Sequence, residues 1–351
     1  MIILIKEETK RESVLGSQGR REFWDALSKA CGLSEETRGM VLQARPPVSR
    51  LCRFRTVGSN SLSQLRTNTL SFSSSLFYDD PLDTFFYVDK EALRAYSETI
   101  ATMGMQRSLD MAASLLRQAN LPGFGKLCDI MEAIEMDGHS FFFDQLNCQI
   151  DSIRRIVQGV GYSLCFCDDP LNEVLWLKYA NNHKGFVQVY DVNDPVRLLC
   201  GKEDSCRLCV NSDLSPAPYP VYYSNEGFDA TRYALVLLLL REMPAEVRTE
   251  CPELVRWLEG SIRWEFEKVT LVKHRQHEYD CEWRLLCRGS AEGRPSIQMM
   301  PSSVILGLRM EDDERRDVVD AAKDAGVKTI LHACIDEKIG KLAIRPYWSA
   351  C

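Results

Sequence analysis

The pattern of apolar and polar positions predicts short strands that alternate with helices. Apolar side chains recur at every second position of residues 51–55, which indicates a strand with one buried face. They recur at spacings of three and four in residues 89–158, which is typical of helices. Further strands are predicted at 70–74, 162–167, 185–190, 279–287, 304–308, 329–333 and 342–344, and further helices at 20–31, 59–66, 171–181 and 311–325, with two more that end near Lys273.

This order of elements predicts an α+β fold whose short strands form a mixed or split sheet. Residues 51–351 are interpreted as a single α+β domain that carries the helices of 89–158 as an insertion or lid. Residues 1–50 contain a polar stretch, one helix and a Pro-Pro break, and they are interpreted as an N-terminal appendage.

The composition is typical of a globular protein, with 45% hydrophobic and 26% charged residues. The net charge of −7 argues against a general affinity for nucleic-acid backbones, which requires clustered Lys and Arg. The longest apolar run, residues 233–240, is much shorter than the roughly 20 residues that span a bilayer. Because no signal peptide is visible either, we expect a cytoplasmic protein with no membrane partner.

Most of the 14 cysteines lie among apolar residues and are expected to be small buried hydrophobes in a reducing compartment. The exception is the group Cys200, Cys206 and Cys209, which lies in a polar stretch. A Cys-x2-Cys pair is half of a structural zinc site, and no second pair is evident. Reduced thiols in a loop and a zinc site therefore both stay open for this group.

Four separate segments combine aromatic, charged and hydroxyl side chains in short spans. They are residues 53–55, 72–83, 176–186 and 278–284. In the same order they resemble motifs of an uncharacterised bacterial family, domain of unknown function 2971: a Tyr-Arg-Phe-Arg strand, a Phe-Ser-Ser-Pro…Asn-Asp-Pro segment, a Trp…His-Tyr-Ala…His-x-Gly-Phe helix and strand, and a Glu-x-Glu-Trp-Arg strand. With Leu-Gly-Leu-Arg at 306–309, the resemblance covers about residues 51–310.

Three positions depart from the pattern of that family. Asp79 stands where Asn is usual, Lys178 where His is usual, and Asp280 where Glu is usual. The resemblance implies a shared fold, and the name of the family implies no activity.

Strand geometry predicts the direction of the charged side chains in the last segment. Successive side chains alternate between the two faces of a strand. Asp280, Glu282 and Arg284 are therefore expected on one face, and Trp283 on the apolar face.

The same rule projects Arg53 and Arg55 together from the first predicted strand. Two Arg and the carboxylates of Asp280 and Glu282 are then expected to meet across one cleft. The choice between the two Arg stays open, because a strand register can shift by one residue.

The arrangement resembles, more weakly, the ADP-ribosyltransferases, which have an Arg or His on a first strand, Ser on a second, and a Glu, often in a Glu-x-Glu pair, on a later strand. The resemblance implies an NAD-binding enzyme with Glu282 as catalytic carboxylate and Asp280 as its partner. A fixed carboxylate stabilises the positive charge that develops on ribose when nicotinamide leaves, and no metal is required. The implied cofactor-binding residues are Arg53 or Arg55, Ser71, Ser73, Phe72 and Tyr78.

The same resemblance implies a setting in bacterial toxins or anti-phage defence, with a protein, a nucleic acid or water as the acceptor. Two other functions stay open. One is a ligand- or partner-binding module without catalysis, in which the Arg residues and carboxylates are only a salt-bridged pair of neighbouring strands. The other is a metal-dependent nuclease, because several Asp side chains offer hard oxygen ligands, although Arg284 stands where such enzymes place a Lys.

Six further residues are site candidates with a structural alternative: Asp80, Asp83, Trp176, Tyr179, His183 and Arg284. The Asp80-Pro-x-Asp83 segment is also a natural turn. Trp176 and Tyr179 have a helical spacing that is typical of core packing. His183 follows a predicted helix, where a C-terminal cap is the simpler role. The basic stretch 273–277 is interpreted as a solvated loop.

Overall fold

The computed structural model describes residues 18–32, 34–92, 150–152, 154–155, 158–159, 161–192, 197–199, 217–242, 245–288 and 294–347. Most of the helical insertion predicted at 89–158 lies outside these residues, and so does the cysteine group of Cys200, Cys206 and Cys209. The described part of the chain is a mixed α/β structure built from short strands, as the sequence predicts.

The strands are β1 Arg50–Arg55, β2 Thr69–Ser71, β3 Ser73–Ser74, β4 Phe86–Tyr87, β5 Gly161–Cys167, β6 Phe186–Asp191, β7 Arg197–Leu199, β8 Pro218–Pro220, β9 Tyr222–Ser224, β10 Phe228–Asp229, β11 Val272–His274, β12 Glu282–Arg288, β13 Ser296–Gln298, β14 Ser303–Leu306, β15 Thr329–Asp336 and β16 Lys341–Pro346. The helices are α1 (18–29), α2 Glu35–Gln43, α3 Ser59–Arg66, α4 Glu173–Lys178, α5 Thr231–Glu242, α6 Ala245–Glu250, α7 Pro252–Ile262, α8 Glu265–Thr270 and α9 Asp312–Asp324.

A nine-stranded sheet forms the centre of the described structure. Its order is β16-β15-β14-β6-β1-β5-β12-β8, and β3 also pairs with β5. The pair β14–β15 is parallel, whereas β1, β5, β6 and β12 are antiparallel to their neighbours, so the sheet is mixed. A separate three-stranded sheet, β2-β13-β7, lies beside it.

The two central strands β1 and β5 separate along most of their length. They pair at one position, where Cys52 is opposite Cys167. The rest of β1 pairs with β6, from Arg50 opposite Asp191 to the end of the strand. The first half of β5 turns to β3 instead, with Ser163 opposite Ser73. A wedge therefore opens between β1 and β5 in the middle of the sheet.

The register decides which side chains share a face of the sheet. Residues that are directly opposite each other project to the same side, and Cys167 is opposite both Cys52 and Glu282. Glu282 therefore lies on the face of Cys52. Arg53 projects to the other face, where its guanidinium lies 5.9 Å from the centre of the Phe166 ring.

Two glycines allow the loop after α4 to lie against β1 and β14. A Cβ on Gly185 would lie 2.1 Å from the carbonyl oxygen of Arg55, and a Cβ on Gly307 would lie 2.2 Å from the carbonyl oxygen of His183. His183 itself has a left-handed backbone, with φ of 66°. No side chain fits at either glycine. The close approach of Gly185 to Arg55 therefore fixes the end of β1 that carries the Arg residues.

Helices α1 and α2 pack against the strand that carries Glu282. Phe23 and Leu27 of α1 share a buried core with Leu286 of β12. Nη1 of Arg20 donates to the carbonyl oxygen of Glu282 at 2.6 Å, and its Nη2 lies 2.9 Å from Asp168. This part of the predicted appendage therefore contributes directly to the support of the sheet.

Several predicted elements differ from the observed ones. The strand predicted at 70–74 is divided into β2 and β3, which pair in different sheets on either side of the buried Phe72. Residues 218–220, where no strand was predicted, form the edge strand β8, a position where the missing N–H donors of two Pro are tolerated. The helices predicted to end near Lys273 end at Thr270, and Lys273 lies in β11.

The strand predicted at 279–287 begins only at Glu282. Asp280 ends a 3-10 turn, Arg275–Asp280, and Cys281 has a left-handed backbone with φ of 46°. Asp280 therefore reaches the side of Glu282 through a turn, and not through strand alternation as the sequence predicted. Within the residues that the structure describes, no helix is long and apolar enough to cross a membrane.

Candidate functional site

A cavity of about 250 Å³ lies in the wedge between β1 and β5. Its other lining residues come from β3, from the loop at residues 77–83, from α4 and its end, and from the segment between Lys273 and Glu282. Nine predicted site residues line it: Arg53, Arg55, Ser73, Tyr78, Asp80, Asp83, Tyr179, Asp280 and Glu282. Side chains from both faces of the sheet, such as Cys52 and Arg53, line it.

Arg284 lies behind the cavity and organises its acidic side. The side chain is 1% exposed and forms a two-pronged ion pair with Asp83, with contacts of 2.8 and 2.5 Å. Its Nε donates to Oε1 of Glu282 at 2.7 Å, and its Nη1 also donates to the carbonyl oxygen of Thr270. Four of the five N–H donors of Arg284 therefore have a protein acceptor, and the side chain holds two carboxylates in place.

Lys273 connects the carboxylates at the same end of the cavity. Its Nζ lies 2.7 Å from Asp280, 3.0 Å from Oε2 of Glu282 and 3.6 Å from Asp83. Burial lowers the pKa of Lys273, but the carboxylates, Glu282 first, outweigh burial and raise the pKa well above its usual 10.5. The side chain is therefore a fixed positive charge.

The two cations keep Glu282 ionised. Burial alone would raise the pKa of Glu282, but the charges of Arg284 and Lys273 hold it well below the usual 4.5. Both carboxylate oxygens have a fixed donor, and each oxygen has a second acceptor position. A negative charge is thus held at one wall of the cavity at neutral pH.

The loop carboxylates extend this acidic side. Oδ1 of Asp80 accepts a hydrogen bond from the backbone of Leu82, which is the turn that the sequence predicts. Nε2 of His277 lies 3.2 Å from Oδ2 of Asp80, and its Nδ1 lies 3.8 Å from Asp280. His277 was predicted to be in a solvated loop, but its side chain is only 23% exposed between these carboxylates.

The basic side of the cavity is built differently. Nη2 of Arg55 donates to Gln64 at 2.9 Å, whereas Nη1 of Arg53 is buried and has no hydrogen-bond partner. Neither Arg forms an ion pair with any described residue. The alternative of a salt bridge between neighbouring strands is therefore wrong: β5 lies between β1 and β12. Asp280 is paired with Lys273, and Glu282 with Lys273 and Arg284.

A hydroxyl and a thiol line the wall between these two sides. Tyr78 and Ser163 share a short hydrogen bond, and Ser163 also lies 3.4 Å from the sulfur of Cys165. Burial, and then the charge of Glu282, raises the pKa of Cys165 to about 12. Cys165 is therefore a neutral thiol at neutral pH and is not an activated nucleophile.

Four predicted site residues lie away from the cavity. Phe72 and Trp176 are fully buried in the core, and the Trp176 ring stacks on His183 at 5.6 Å. Ser71 is linked to Arg55 only through Gln64. Trp176 therefore packs in the core, and the backbone N–H of His183 donates to the carbonyl oxygen of Trp176 at the end of α4, as the structural alternatives for these two residues predicted.

The sequence reading missed Lys273. Its basic neighbourhood, residues 273–277, suggested a solvated surface. One signal was available. The predicted site contains four carboxylates, Asp80, Asp83, Asp280 and Glu282, which outnumber the single cation Arg284 on the same segments, and buried carboxylates need partner cations. The cavity-lining residues Lys178 and Asp79, which depart from the family pattern, were not assigned a role either.

A scan against protein-family models gives no match for the chain, and neither a search of curated proteins nor one of solved structures finds a significant relative. The resemblances to domain of unknown function 2971 and to ADP-ribosyltransferases therefore stay predictions. Among the described residues, no three His, Cys, Asp or Glu side chains are grouped as they would be to hold a metal ion.

Proposed function

We propose that the cavity binds NAD and that the protein is an ADP-ribosyltransferase-like enzyme, which cleaves the bond between nicotinamide and ribose. One observation carries the proposal: the ionised carboxylate of Glu282 lines the same cavity as the unpaired guanidinium of Arg53. The nicotinamide–ribose half of NAD offers matching groups, an electron-poor sugar carbon at one end and the diphosphate at the other.

The position of Glu282 suits the chemistry of the nicotinamide–ribose bond. Departure of nicotinamide leaves positive charge on the ribose, and a carboxylate held in place beforehand stabilises that charge without rearrangement. Arg284 and Lys273 fix the carboxylate and are positioning residues. The thiol of Cys165 also forms a hydrogen bond with Glu282, and a ribose hydroxyl would take the acceptor position that remains on the carboxylate.

The size of the cavity favours one part of NAD. About 250 Å³ is below the usual range of about 300–1,000 Å³ for sites that enclose a whole drug-sized ligand. The nicotinamide–ribose half would occupy the cavity, with Tyr78 and Phe77 beside the ring and Arg53 or Arg55 near the diphosphate. The adenosine half would extend outside. Ser73 and Asp280 would complete the contacts to ribose oxygens.

A second function, ligand binding without catalysis, is favoured by one feature of the same site. Every cation on the acidic side is fully engaged in holding Asp83, Asp280 and Glu282. A network of this kind also occurs in proteins where it only fixes the fold. In that case NAD or another nucleotide would bind and stay intact.

The test is nicotinamide release, measured by chromatography, from NAD incubated with purified protein, with and without cell lysate as a source of acceptors. The variant Glu282→Gln should release at least about 100-fold less nicotinamide, the usual scale for loss of a transition-state charge. Glu278→Gln is the matched control, because Glu278 is exposed and pairs only with Arg275.

Melting curves with NAD separate the two functions. Release that persists in Glu278→Gln and is lost in Glu282→Gln supports the enzyme. A shift of the melting temperature with no release supports the binding module. If NAD causes no shift and no nicotinamide is released, both functions are rejected.

A further inference from the structure

Two buried hydrogen-bond donors near the cavity have no protein partner. They are Nη1 of Arg53 and the hydroxyl of Tyr190. Tyr190 is fully buried and lies opposite Leu51 in the β1–β6 pair, so it shares the face of Leu51 and Arg53. Burial raises the pKa of Tyr190, so its hydroxyl keeps its proton and can donate it.

The same region contains like charges without a counter-charge. Burial lowers the pKa of Arg55 to about 10, and the charge of Arg53 and then that of Arg294 add to the effect. Burial also lowers the pKa of Arg53, with a further lowering from Arg294. Arg294 is exposed at the rim, where its Nη2 donates to Ser73 at 2.9 Å. No ion pair with a described residue offsets these three charges.

Unpartnered donors and uncompensated positive charge are both costly when buried. A single group that accepts hydrogen bonds and carries negative charge would remove both costs. Because Arg is always protonated and has no acceptor atom, such a group must be an anion and not a cation or a neutral donor. Phosphate oxygens match the planar fork of Arg best.

We infer that Arg53, Arg55 and Tyr190 form a binding site for a phosphate or diphosphate group. Both unpartnered donors project from the same face of β1 and β6, so the oxyanion that satisfies them lies on the Arg53 side of the cavity. Gln64 orients Arg55 through its Nη2, and Phe166 supports the guanidinium of Arg53. The hydroxyl of Tyr190 donates to the anion, and Arg294, which is hydrogen-bonded to the cavity residue Ser73, adds positive charge nearby.

This inference rests on the proposed function only where it takes the diphosphate of NAD as the occupant. The site itself would accept any phosphorylated ligand of suitable size. Of the two Arg that the sequence could not separate, Arg53 is the primary contact, since Arg55 already donates to Gln64.

The experiment is calorimetric titration of the full chain with four probes: ADP-ribose, inorganic diphosphate, inorganic phosphate and nicotinamide riboside, which has no phosphate. ADP-ribose and diphosphate should bind, and nicotinamide riboside should bind at least about tenfold more weakly than ADP-ribose. The free-phosphate arm shows whether one phosphate is sufficient or whether the rest of a nucleotide is needed.

Two variants test the residues. Tyr190→Phe removes one unpartnered hydroxyl, so it should weaken ADP-ribose about five- to tenfold and leave the melting temperature of the free protein unchanged or higher. Arg53→Met should weaken ADP-ribose about 100-fold. Arg50→Met is the matched control, because Arg50 is on the same strand but is exposed and paired with Asp191.

The outcomes separate this site from the proposed enzyme. Equal affinity of wild type, Tyr190→Phe and Arg53→Met for ADP-ribose would overturn the phosphate site, even if nicotinamide release continues. A lower melting temperature of free Tyr190→Phe together with unchanged affinity would assign the hydroxyl a structural role and also overturn it. Diphosphate binding that depends on both residues, without nicotinamide release, would leave this site in place and reject only the enzyme.

Discussion

The two sides of the cavity solve the problem of buried charge in opposite ways. On the acidic side, Arg284 and Lys273 each bind more than one carboxylate, and every nitrogen of the Arg284 guanidinium has an acceptor. On the basic side, Arg53 has a buried nitrogen without a partner, next to the charge of Arg55. In the first region Asp83, Asp280 and Glu282 are each paired with a cation, although Oδ1 of Asp280 has no hydrogen-bond partner. In the second region the cations themselves have no counter-charge among the described residues.

This difference indicates different roles for the two regions. A network of paired charges resists rearrangement and holds groups such as Glu282 in one position. A cluster of cations without a counter-charge lowers the stability of the free protein. A ligand that pairs with these cations removes that cost, and the gain appears as binding affinity. Substitutions on the acidic side should therefore reduce stability, whereas substitutions on the basic side should reduce binding.

The largest effect is expected from breaking the Arg284–Asp83 pair. Arg284→Met leaves the carboxylates of Asp83 and Glu282 buried with one cation fewer, so the free energy of unfolding should fall by about 3–5 kcal/mol. Urea unfolding at pH 7 measures the change. Arg50→Met should change the same quantity by less than about 1 kcal/mol, because both partners of that pair are exposed. If both variants lose a similar free energy of unfolding, the buried Arg284 network stabilises the fold no more than an exposed ion pair does.

The second prediction concerns acid pH. The pKa of Glu282 is lower in the folded protein than its usual 4.5, so its contribution to stability is complete above that pH and is lost as pH falls through the folded value. Each pH unit in this range changes the free energy of unfolding by up to about 1.4 kcal/mol. Urea unfolding between pH 5 and pH 2.5 should therefore be less pH-dependent in Glu282→Gln than in Glu278→Gln.

A wild-type slope in Glu282→Gln would mean that other carboxylates carry the acid sensitivity. In that case the network around Lys273 would not be the main source of fixed charge, and the contrast between the two sides of the cavity would be weaker.

The sequence predicted the elements of this fold better than the contacts of its site. Strand β1, helix α3 and helix α9 follow local periodicity, which one chain segment determines by itself. The division of the strand predicted at 70–74 and the late start of β12 depend on which neighbours each strand finds, and no local pattern contains that information. Element order did predict a mixed sheet, but not the wedge between β1 and β5.

The candidate site shows the same limit. Alternation correctly placed Arg53 and Arg55 on one face of β1, because period two is a property of the strand itself. It could not show that Glu282 projects to the opposite face, since that depends on the register through β5. Lys273 was missed for a related reason: its contacts with Asp280 and Glu282 depend on the 3-10 turn that folds β11 back onto β12, and its contact with Asp83 depends on a loop far away in the sequence.

The third prediction reverses the direction of the first. Arg53→Met removes a buried charge with an unpartnered nitrogen, so the free energy of unfolding of the ligand-free protein should stay equal or rise by up to about 1 kcal/mol. Thermal and urea unfolding without nucleotides or phosphate buffer measure it. A loss of more than about 2 kcal/mol would mean that Arg53 is satisfied inside the protein, and the proposed contrast would be wrong.

The smallest effect on stability is expected at Phe77, at the mouth of the cavity. Its ring is 82% exposed, so Phe77→Ala removes almost no buried surface, and the free energy of unfolding should change by less than about 0.5 kcal/mol. If the ring stacks on nicotinamide, the affinity for NAD should fall about five- to tenfold, while inorganic diphosphate, which has no ring, should bind as in wild type. Leu82→Ala, at an exposed apolar side chain outside the cavity lining, is the control. Equal losses for NAD and diphosphate would place Phe77 in a general opening of the cavity, whereas a loss for NAD alone assigns the ring to the base end of the ligand and leaves the phosphate end to Arg53.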